Sequence, residues 1–317
     1  MAGSSKKAIY AALVGNSLIA VTKFTAATFT GSSAMFSEGV HSLVDTGNQI
    51  LLLYGLKRAE TPPSSEFPFG HGKEVYFWCF VVAMLIFGIG ASVSLYQGWQ
   101  HLFHAEPLHN LSINYIVLGF AVLFESGALW VAMREFNAQK GHYGFLEAVR
   151  MSKDPSIFVV VFEDTAALLG LLVALAGLVA YQITGNLIFD ALASIIIGLI
   201  LAGTALWLAY ESKSLLIGEA ASPLLRTQIR DCVVTDPRIT HVNEVATMHM
   251  GPQQIIVNLS VDFVDGVDSS VVKQAVTDAT RRIKALDPAI SRVFIEVERN
   301  SDHLVNEQHQ PTDRAGS

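Results

Sequence analysis

Residues 75–100 read VYFWCFVVAMLIFGIGASVSLYQGWQ and contain no acidic or basic side chain. About 20 apolar residues in an α-helix are enough to cross the roughly 30 Å hydrocarbon core of a bilayer. This stretch therefore predicts a membrane-spanning helix. Five further segments share its length and apolar character, and the six predicted spans cover residues 8–30, 33–56, 75–100, 111–133, 155–182 and 187–210.

The overall composition also indicates a membrane protein. Of 317 residues, 51% are hydrophobic and 15% are charged, whereas soluble domains carry about 25% charge. This composition excludes a disordered chain, and two cysteines are too few for a disulfide framework. The net charge of −7 gives no reason to expect nucleic-acid binding.

Lys and Arg lie beside only one set of the predicted connections. The connections near Gly31, at residues 101–110 and at residues 182–186 contain neither. Since cytoplasmic loops carry the excess of Lys and Arg, both termini are predicted to be cytoplasmic, and the expected membrane is a bacterial inner membrane. The flanking basic residues are Lys6, Lys7, Lys57, Arg58, Lys73, Arg134, Lys140, Arg150, Lys153 and Lys213.

The pattern after Lys213 is that of a small soluble domain. Two amphipathic stretches with helical period alternate with three stretches that alternate like strands, and the residues GPQ at 251–253 predict a hairpin between the first two strands. The predicted order is α-β-β-α-β. We therefore predict a transmembrane domain over residues 1–213, a cytoplasmic α+β domain over 214–300 and a disordered tail over 301–317.

Few ionisable residues lie inside the predicted spans, and each costs about 2.5–3.5 kcal/mol at a helix centre. Such residues usually face the bundle interior and have a partner. We expect Lys23 to be a counter-ion to Glu38 or Glu125, and Asp190 to cap the start of the sixth helix, where its charge suits the helix dipole. The complete set is Lys23, Glu38, His41, Asp45, Glu125, Glu163, Asp164 and Asp190.

Three of these residues predict a metal site near the middle of the membrane. His41 and Asp45 are four residues apart on one face of the second helix. At a rise of about 1.5 Å per residue, Asp45 lies roughly 18 Å from the outer end of its helix, and Asp164 lies roughly 12 Å from the inner end of the fifth. In a hydrocarbon core of about 30 Å, these two depths are the same level. An imidazole and two carboxylates suit a divalent transition metal such as Zn²⁺, and Glu163 is the candidate fourth ligand.

Two other interpretations of the same residues stay open. In a purely structural cluster, His41 bonds to Asp45 or Glu125 and only locks the helices together. The protein would then be a membrane metal sensor or an assembly protein that does not transport. An enzyme is not expected, because the sequence contains no recognisable nucleophile–base pair and no phosphate-binding glycine loop.

Several long motifs resemble those of the cation diffusion facilitators. SSAMFSEGVHSLVDTGNQILLLYGLKRA at 32–59 is similar to their second-helix signature, FPFGHGKEVYFW at 67–78 to their loop before the third helix, and residues 189–220 to their sixth helix. The six-helix core followed by an α-β-β-α-β domain is also the layout of that family. The resemblance covers nearly the whole chain.

The resemblance implies a homodimeric antiporter that moves Zn²⁺, Fe²⁺, Mn²⁺, Co²⁺ or Cd²⁺ out of the cytoplasm in exchange for protons. It implies that His41 and Asp45 are ligands, in the arrangement associated with zinc-selective members, and that Asp164 is a third. It also implies that the soluble domain serves dimerisation.

The fifth helix departs from the usual pattern of the family. The position four residues before Asp164, which is often His, is Val160 here. FEDTAALLG at 162–170 resembles instead the branch related to the mitochondrial zinc transporters, which has an acidic pair at this place. Three alternatives therefore stay open for the fourth ligand: Glu163, a water, or no ligand at all. An oxygen-rich set also suits Mn²⁺ and Fe²⁺.

Overall fold

The computed structural model describes residues 2–104, 107–139, 144, 148–149 and 153–309. Lys140 and Arg150, which contribute to the predicted orientation, lie outside these residues, as does the end of the predicted tail at 310–317. The chain divides into two compact units. A membrane unit comprises residues 1–61 and 74–214, and a C-terminal unit comprises residues 62–73 and 215–317.

Six long helices are described for the first two-thirds of the chain, and each overlaps one predicted span. The third contains a π-helical turn at Ile86–Ala91. The six are α1 (Ala2–Thr30), α2 (Ser33–Ala59), α3 (Glu74–Phe103), α4 (Leu111–Gln139), α5 (Pro155–Thr184) and α6 (Ile188–Ile217).

Among the described residues, four of these helices are long and apolar enough to cross a membrane by length and composition. The chain is thus a multi-pass membrane protein. Helix α2 is less uniformly apolar because it carries Glu38, His41 and Asp45 along its length. The four apolar helices cover Glu74–Phe103, Leu111–Ala138, Phe158–Thr184 and Ile188–Ile217.

A carboxylate of α6 fixes the start of α2. Gly31, at a φ of +73°, ends α1, a conformation that glycine adopts without strain. Asp190 then accepts hydrogen bonds from the Ser32 hydroxyl at 2.5 Å and the Ser33 backbone N–H at 2.7 Å. Asp190 does lie in the first turn of α6, but its carboxylate caps α2 and not its own helix, which corrects the prediction.

A buried ion pair joins α1 to α2. The Lys23 ammonium donates to the Glu38 carboxylate at 3.0 Å and to the Ser42 hydroxyl at 2.8 Å. The side chains of Lys23 and Glu38 are both 0% exposed. The prediction that Lys23 is a structural counter-ion is thereby confirmed, with Glu38 as the partner.

The C-terminal unit has the predicted order of elements. Strands β1 and β2 are antiparallel and joined at the expected hairpin, β3 is parallel to β2, and the spatial order is β1-β2-β3. Apolar side chains of α7 and α8 form the core with the sheet, and Ile229, Val257 and Ile283 are fully buried there. The elements are α7 (Pro223–Val234), β1 (Ile239–Gly251), β2 (Gln254–Phe263), α8 (Ser269–Leu286), β3 (Ile290–Val297) and α9 (Asn300–His309).

Two features of this unit differ from the predicted domain plan. The α2–α3 loop, Pro62–Lys73, groups with the C-terminal unit, and its Phe69 ring packs edge-on against Phe294 with centroids 6.4 Å apart. The described chain also continues as α9 through His309. The prediction of disorder from residue 301 is therefore wrong for residues 301–309.

An acidic residue at the end of α7 organises a charged network in the C-terminal unit. Asp236 is 3% exposed and accepts two hydrogen bonds from the Arg238 guanidinium and one from Arg282, each at 2.8 Å. The hydrogen bonds from Arg238 lower the pKa of Asp236 to about 2. The network connects the α7–β1 turn to α8.

The Lys23–Glu38 pair generates a prediction about the membrane unit. Lys23→Met leaves an unpaired buried carboxylate and should destabilise the unit by about 3–5 kcal/mol. Replacing both partners with Met removes the unpaired charge and should restore most of that loss. Thermal unfolding in detergent can be followed by tryptophan fluorescence, because all four tryptophans lie in the membrane unit. Lys213→Met, at an exposed lysine of α6, is the control, and a double variant no more stable than the single one would contradict the prediction.

The Asp236 network generates a second prediction. Asp236→Asn should destabilise the C-terminal unit by about 2 kcal/mol, since hydrogen bonds to a charged group are lost. Because the folded pKa lies below the ordinary value of 3.8, the carboxylate stabilises the fold above about pH 4 and this contribution disappears as the pH falls towards 2. Hydrogen exchange of β1 and β2, corrected for intrinsic rates, should therefore differ between wild type and variant at pH 5 and converge near pH 2. Asp265→Asn, at an exposed turn, should change nothing, and a difference that persists at low pH would refute the account.

Candidate metal-binding site

His41 and Asp45 lie side by side on α2, as the spacing predicts. The His41 Nδ1 and the Asp45 Oδ1 are 3.4 Å apart. His41 is 1% exposed and Asp45 6% exposed. Both ring nitrogens of His41 lack a hydrogen-bond partner among the described residues, and so does the Oδ1 of Asp45. Three strong donor or acceptor atoms are thus held away from water and left available.

Glu163 is tied to α2 through an amide. The Asn48 Nδ2 donates to the Glu163 Oε1 at 2.8 Å, and both residues are buried. Asn48 follows Asp45 by three residues, so that it lies on the same face of α2. The hydrogen bond connects α2 and α5 next to the His41–Asp45 pair.

Asp164 contributes charge to the site but is less buried than the other three. Its side chain is partly exposed, and it acts electrostatically on Asp45 together with Glu163 and Glu125. Among the described residues, no three His, Cys, Asp or Glu side chains are arranged to hold one ion. The structure brings His41 and Asp45 together, links Glu163 to them through Asn48, and leaves Asp164 as an acidic neighbour.

The absence of a side chain at Gly170 permits the close approach of α5 to α2. A Cβ atom built at this position would overlap the Glu38 Oε1. Glu38 is the partner of Lys23 on α1. The ion pair and Gly170 therefore set the distance at which α5, which carries Glu163 and Asp164, meets α2.

The donor types of the site suit a divalent cation. A neutral imidazole nitrogen and carboxylate oxygens are ordinary ligands for Zn²⁺, and carboxylate oxygens also bind Mn²⁺. All of these groups bind metal only when deprotonated, so that metal and protons compete for them. The side chains present are thus of the types that bind divalent cations in competition with protons.

Asn48 is the functional candidate that sequence reasoning missed. A search restricted to ionisable residues passes over an amide. The signal was nonetheless present, because His41, Asp45 and Asn48 continue one stripe at spacings of four and three residues. What the stripe could not show is that Asn48 faces Glu163.

Within the described part of the C-terminal unit, the Cys and His side chains are not grouped to hold an ion. Cys232 lies on α7, exposed His241 lies near the start of β1, and buried His249 lies near its end. In the α2–α3 loop, the His71 ring packs against Phe67 with centroids 4.5 Å apart, which agrees with a structural role for this histidine. These positions are part of the fold of the C-terminal unit.

Comparisons with known proteins extend over both units. Residues 9–217 match the cation efflux transmembrane domain. The chain is 32% identical over 259 residues to the mitochondrial proton-coupled zinc antiporter SLC30A9 of Homo sapiens, an alignment that covers 81% of this chain and 46% of the relative. It is 30% identical over 261 residues to metal tolerance protein C4 of Arabidopsis thaliana, covering 82% of this chain and 57% of the relative. It is 26% identical over 282 residues to the cation-efflux pump FieF of Citrobacter koseri, covering 87% and 88%.

The chain thus spans about half the length of the human and Arabidopsis relatives that it matches. The matched domain begins within α1 and extends to the last residue of α6, so that it includes His41, Asp45, Asn48, Glu163 and Asp164. The chain belongs to the cation efflux family, the cation diffusion facilitators, which are membrane transporters and not enzymes.

Proposed function

We propose that this protein is a divalent metal/proton antiporter that exports Zn²⁺ from the cytoplasm. In this proposal all six helices span the membrane, although α1 and α2 are not among the four that meet the criterion of length and apolar composition. The family membership supports export of a cation. The human relative is a proton-coupled zinc antiporter, which supports the choice of zinc and protons.

One observation carries the proposal. His41 and Asp45 are buried inside the membrane unit, with the His41 Nδ1 and the Asp45 Oδ1 3.4 Å apart. Neither the ring nitrogens of His41 nor the Asp45 Oδ1 has a hydrogen-bond partner among the described residues. The Lys23 ammonium, by contrast, donates to both Glu38 and Ser42. A buried pair that is kept unsatisfied in a membrane costs stability, and such intramembrane groups mark ion pathways.

The proposed cycle is alternating access. The cation enters from the cytoplasmic side and is held by His41, Asp45 and Asp164, with Glu163 as a fourth ligand. Movement of the helices then opens the site to the other side of the membrane. Protons there compete for the same groups and release the cation. His41 is the proposed carrier of an exchanged proton, because an imidazole nitrogen binds either a metal ion or a proton.

The proposed selectivity is broader than zinc alone. Val160 supplies no ligand at the place where a histidine is often found, so that one nitrogen is replaced by oxygen. Oxygen-rich sets accept Mn²⁺ and Fe²⁺ more readily than nitrogen-rich sets. Co²⁺ and Cd²⁺ are further candidates on the family resemblance.

We also propose a homodimer in a bacterial inner membrane, with both termini and the C-terminal unit in the cytoplasm. The loop charges support this orientation. The similarity to the bacterial pump, which extends over most of both chains, supports the membrane. The C-terminal unit is proposed to carry the dimer contact.

Substitution of the α2 pair tests the transport site. His41→Ala and Asp45→Ala should each abolish metal-dependent proton flux in liposomes, because each removes a ligand that also binds the exchanged proton. The dimer, measured by light scattering after size exclusion, should persist. Asn114→Ala is the control, since Asn114 is another buried residue of the membrane unit and its oxygen accepts from Thr30 at 2.9 Å.

Unchanged flux in both variants would end the assignment of His41 and Asp45. Zinc binding by the wild-type protein without any counter-transported proton would instead favour the sensor or assembly interpretation. Liposomes without protein, treated with the same metal additions, give the baseline for both readings.

The direction of the pH gradient provides an independent test of coupling. Zn²⁺ should accumulate in liposomes whose lumen is more acidic than the medium, because protons leaving the lumen drive the cation inward. One pH unit corresponds to about 1.4 kcal/mol per exchanged proton, which is a tenfold accumulation. A proton ionophore should remove the accumulation. Uptake that is the same with and without the gradient would refute proton coupling, and repeating the assay with Mn²⁺, Fe²⁺, Co²⁺ and Cd²⁺ gives the selectivity.

A further inference from the structure

Asn48 is a completely buried amide at the junction of α2 and α5. Its exposed fraction is 0%, and its Nδ2 donates to the Glu163 Oε1 at 2.8 Å. Its carbonyl oxygen, Oδ1, is buried without a hydrogen-bond partner among the described residues. An amide oxygen left unsatisfied between membrane helices is unfavourable. A ligand bound to this atom would remove that cost.

Asn48 lies on the same face of α2 as His41 and Asp45, which also carry unsatisfied buried atoms. Asp45 precedes it by one helical turn on the same face of α2. The Asp45 Oδ1 is also buried and has no hydrogen-bond partner among the residues that the structure describes. Two oxygens, from Asp45 and from Asn48, are thus available beside the carboxylate of Glu163.

We propose that Asn48 completes the transport site. Its amide N–H holds Glu163 in place, and its Oδ1 supplies the ligand atom that Val160 on α5 does not supply. Asn48 is therefore a positioning residue for Glu163 and a ligand in its own right. The inference rests on the proposed transport function.

Charge favours an amide over another acid at this position. Asp45, Glu163 and Asp164 already bring three carboxylates to the region, against the two positive charges of the cation. A neutral carbonyl adds a donor atom without adding repulsion in a medium where charge is expensive. Carbonyl and carboxylate oxygens together are a set that suits Mn²⁺ as well as Zn²⁺, so that Asn48 should broaden selectivity.

The simpler alternative is that the Asn48–Glu163 hydrogen bond only fastens α2 to α5. Both accounts predict some loss of stability when Asn48 is truncated. They differ in metal affinity and in how the effects of two substitutions combine. If Asn48 acts through Glu163, its removal matters less once the Glu163 carboxylate is gone.

The experiment measures Zn²⁺ and Mn²⁺ affinity of the full chain in detergent by competition with a fluorescent chelator. Asn48→Ala should weaken Zn²⁺ binding by about 10–100-fold, the usual effect of removing a group that orients a metal ligand. Mn²⁺ binding should fall more than Zn²⁺ binding, because an oxygen is lost. In a Glu163→Ala background, the same substitution should have a smaller effect. Asn114→Ala should leave both affinities unchanged while showing what loss of a buried amide does to the melting temperature.

A swap of donor and acceptor separates positioning from packing. Asn48→Asp alone sets two carboxylates against each other and should weaken binding. Combining it with Glu163→Gln restores a hydrogen bond of reversed polarity and should recover most of the affinity. Absence of any recovery would overturn the positioning role.

Unchanged affinity for both metals in Asn48→Ala would overturn the inference as a whole. An equal loss with and without the Glu163 carboxylate would overturn the positioning role, because independent effects add. If His41→Ala and Asp45→Ala also keep full affinity and flux, the proposed transport site itself fails. If those two variants lose binding while Asn48→Ala does not, only the inference about Asn48 fails.

Discussion

A polar side chain buried between membrane helices has to find its partner on a neighbouring helix, because no water is available there. The membrane unit of this protein is organised by that constraint. Lys23 on α1 pairs with Glu38 on α2, and Asp190 on α6 receives the hydroxyl and backbone groups that begin α2. Both contacts converge on α2, so that this helix is held from two sides by polar interactions.

The same constraint separates structural polar groups from functional ones. Glu38 is matched by a cation, and Asp190 by hydrogen-bond donors. His41 and Asp45 are equally buried, yet their available atoms are not satisfied within the described part of the chain. Protein interiors rarely retain such groups without a reason. The imidazole of His41, with both nitrogens unsatisfied beside Asp45, is a physical argument for a cation site, and it is independent of the family resemblance.

The C-terminal unit follows a different rule, since it buries its apolar side chains in a core of its own. Its stability comes from an apolar core between a three-stranded sheet and the helices α7 and α8. Charged residues such as Asp236 and Arg238 then lock the connections at the edge of that core. The α2–α3 loop adds Phe69 to this unit, so that a segment between two helices of the membrane unit in the sequence belongs structurally to the C-terminal unit.

The sequence by itself determined the helices, the α-β-β-α-β order and the His41–Asp45 pair, because apolar length and residue periodicity are local properties. It also limited the partner of Lys23 to two carboxylates. Only the tertiary structure decided which one, placed Asp190 at the start of α2, joined Asn48 to Glu163, and continued the chain as α9 where disorder was predicted. Those outcomes depend on how each helix is rotated and how closely it packs, as at Gly170. Contacts across such distances in the chain leave no periodic trace in the sequence.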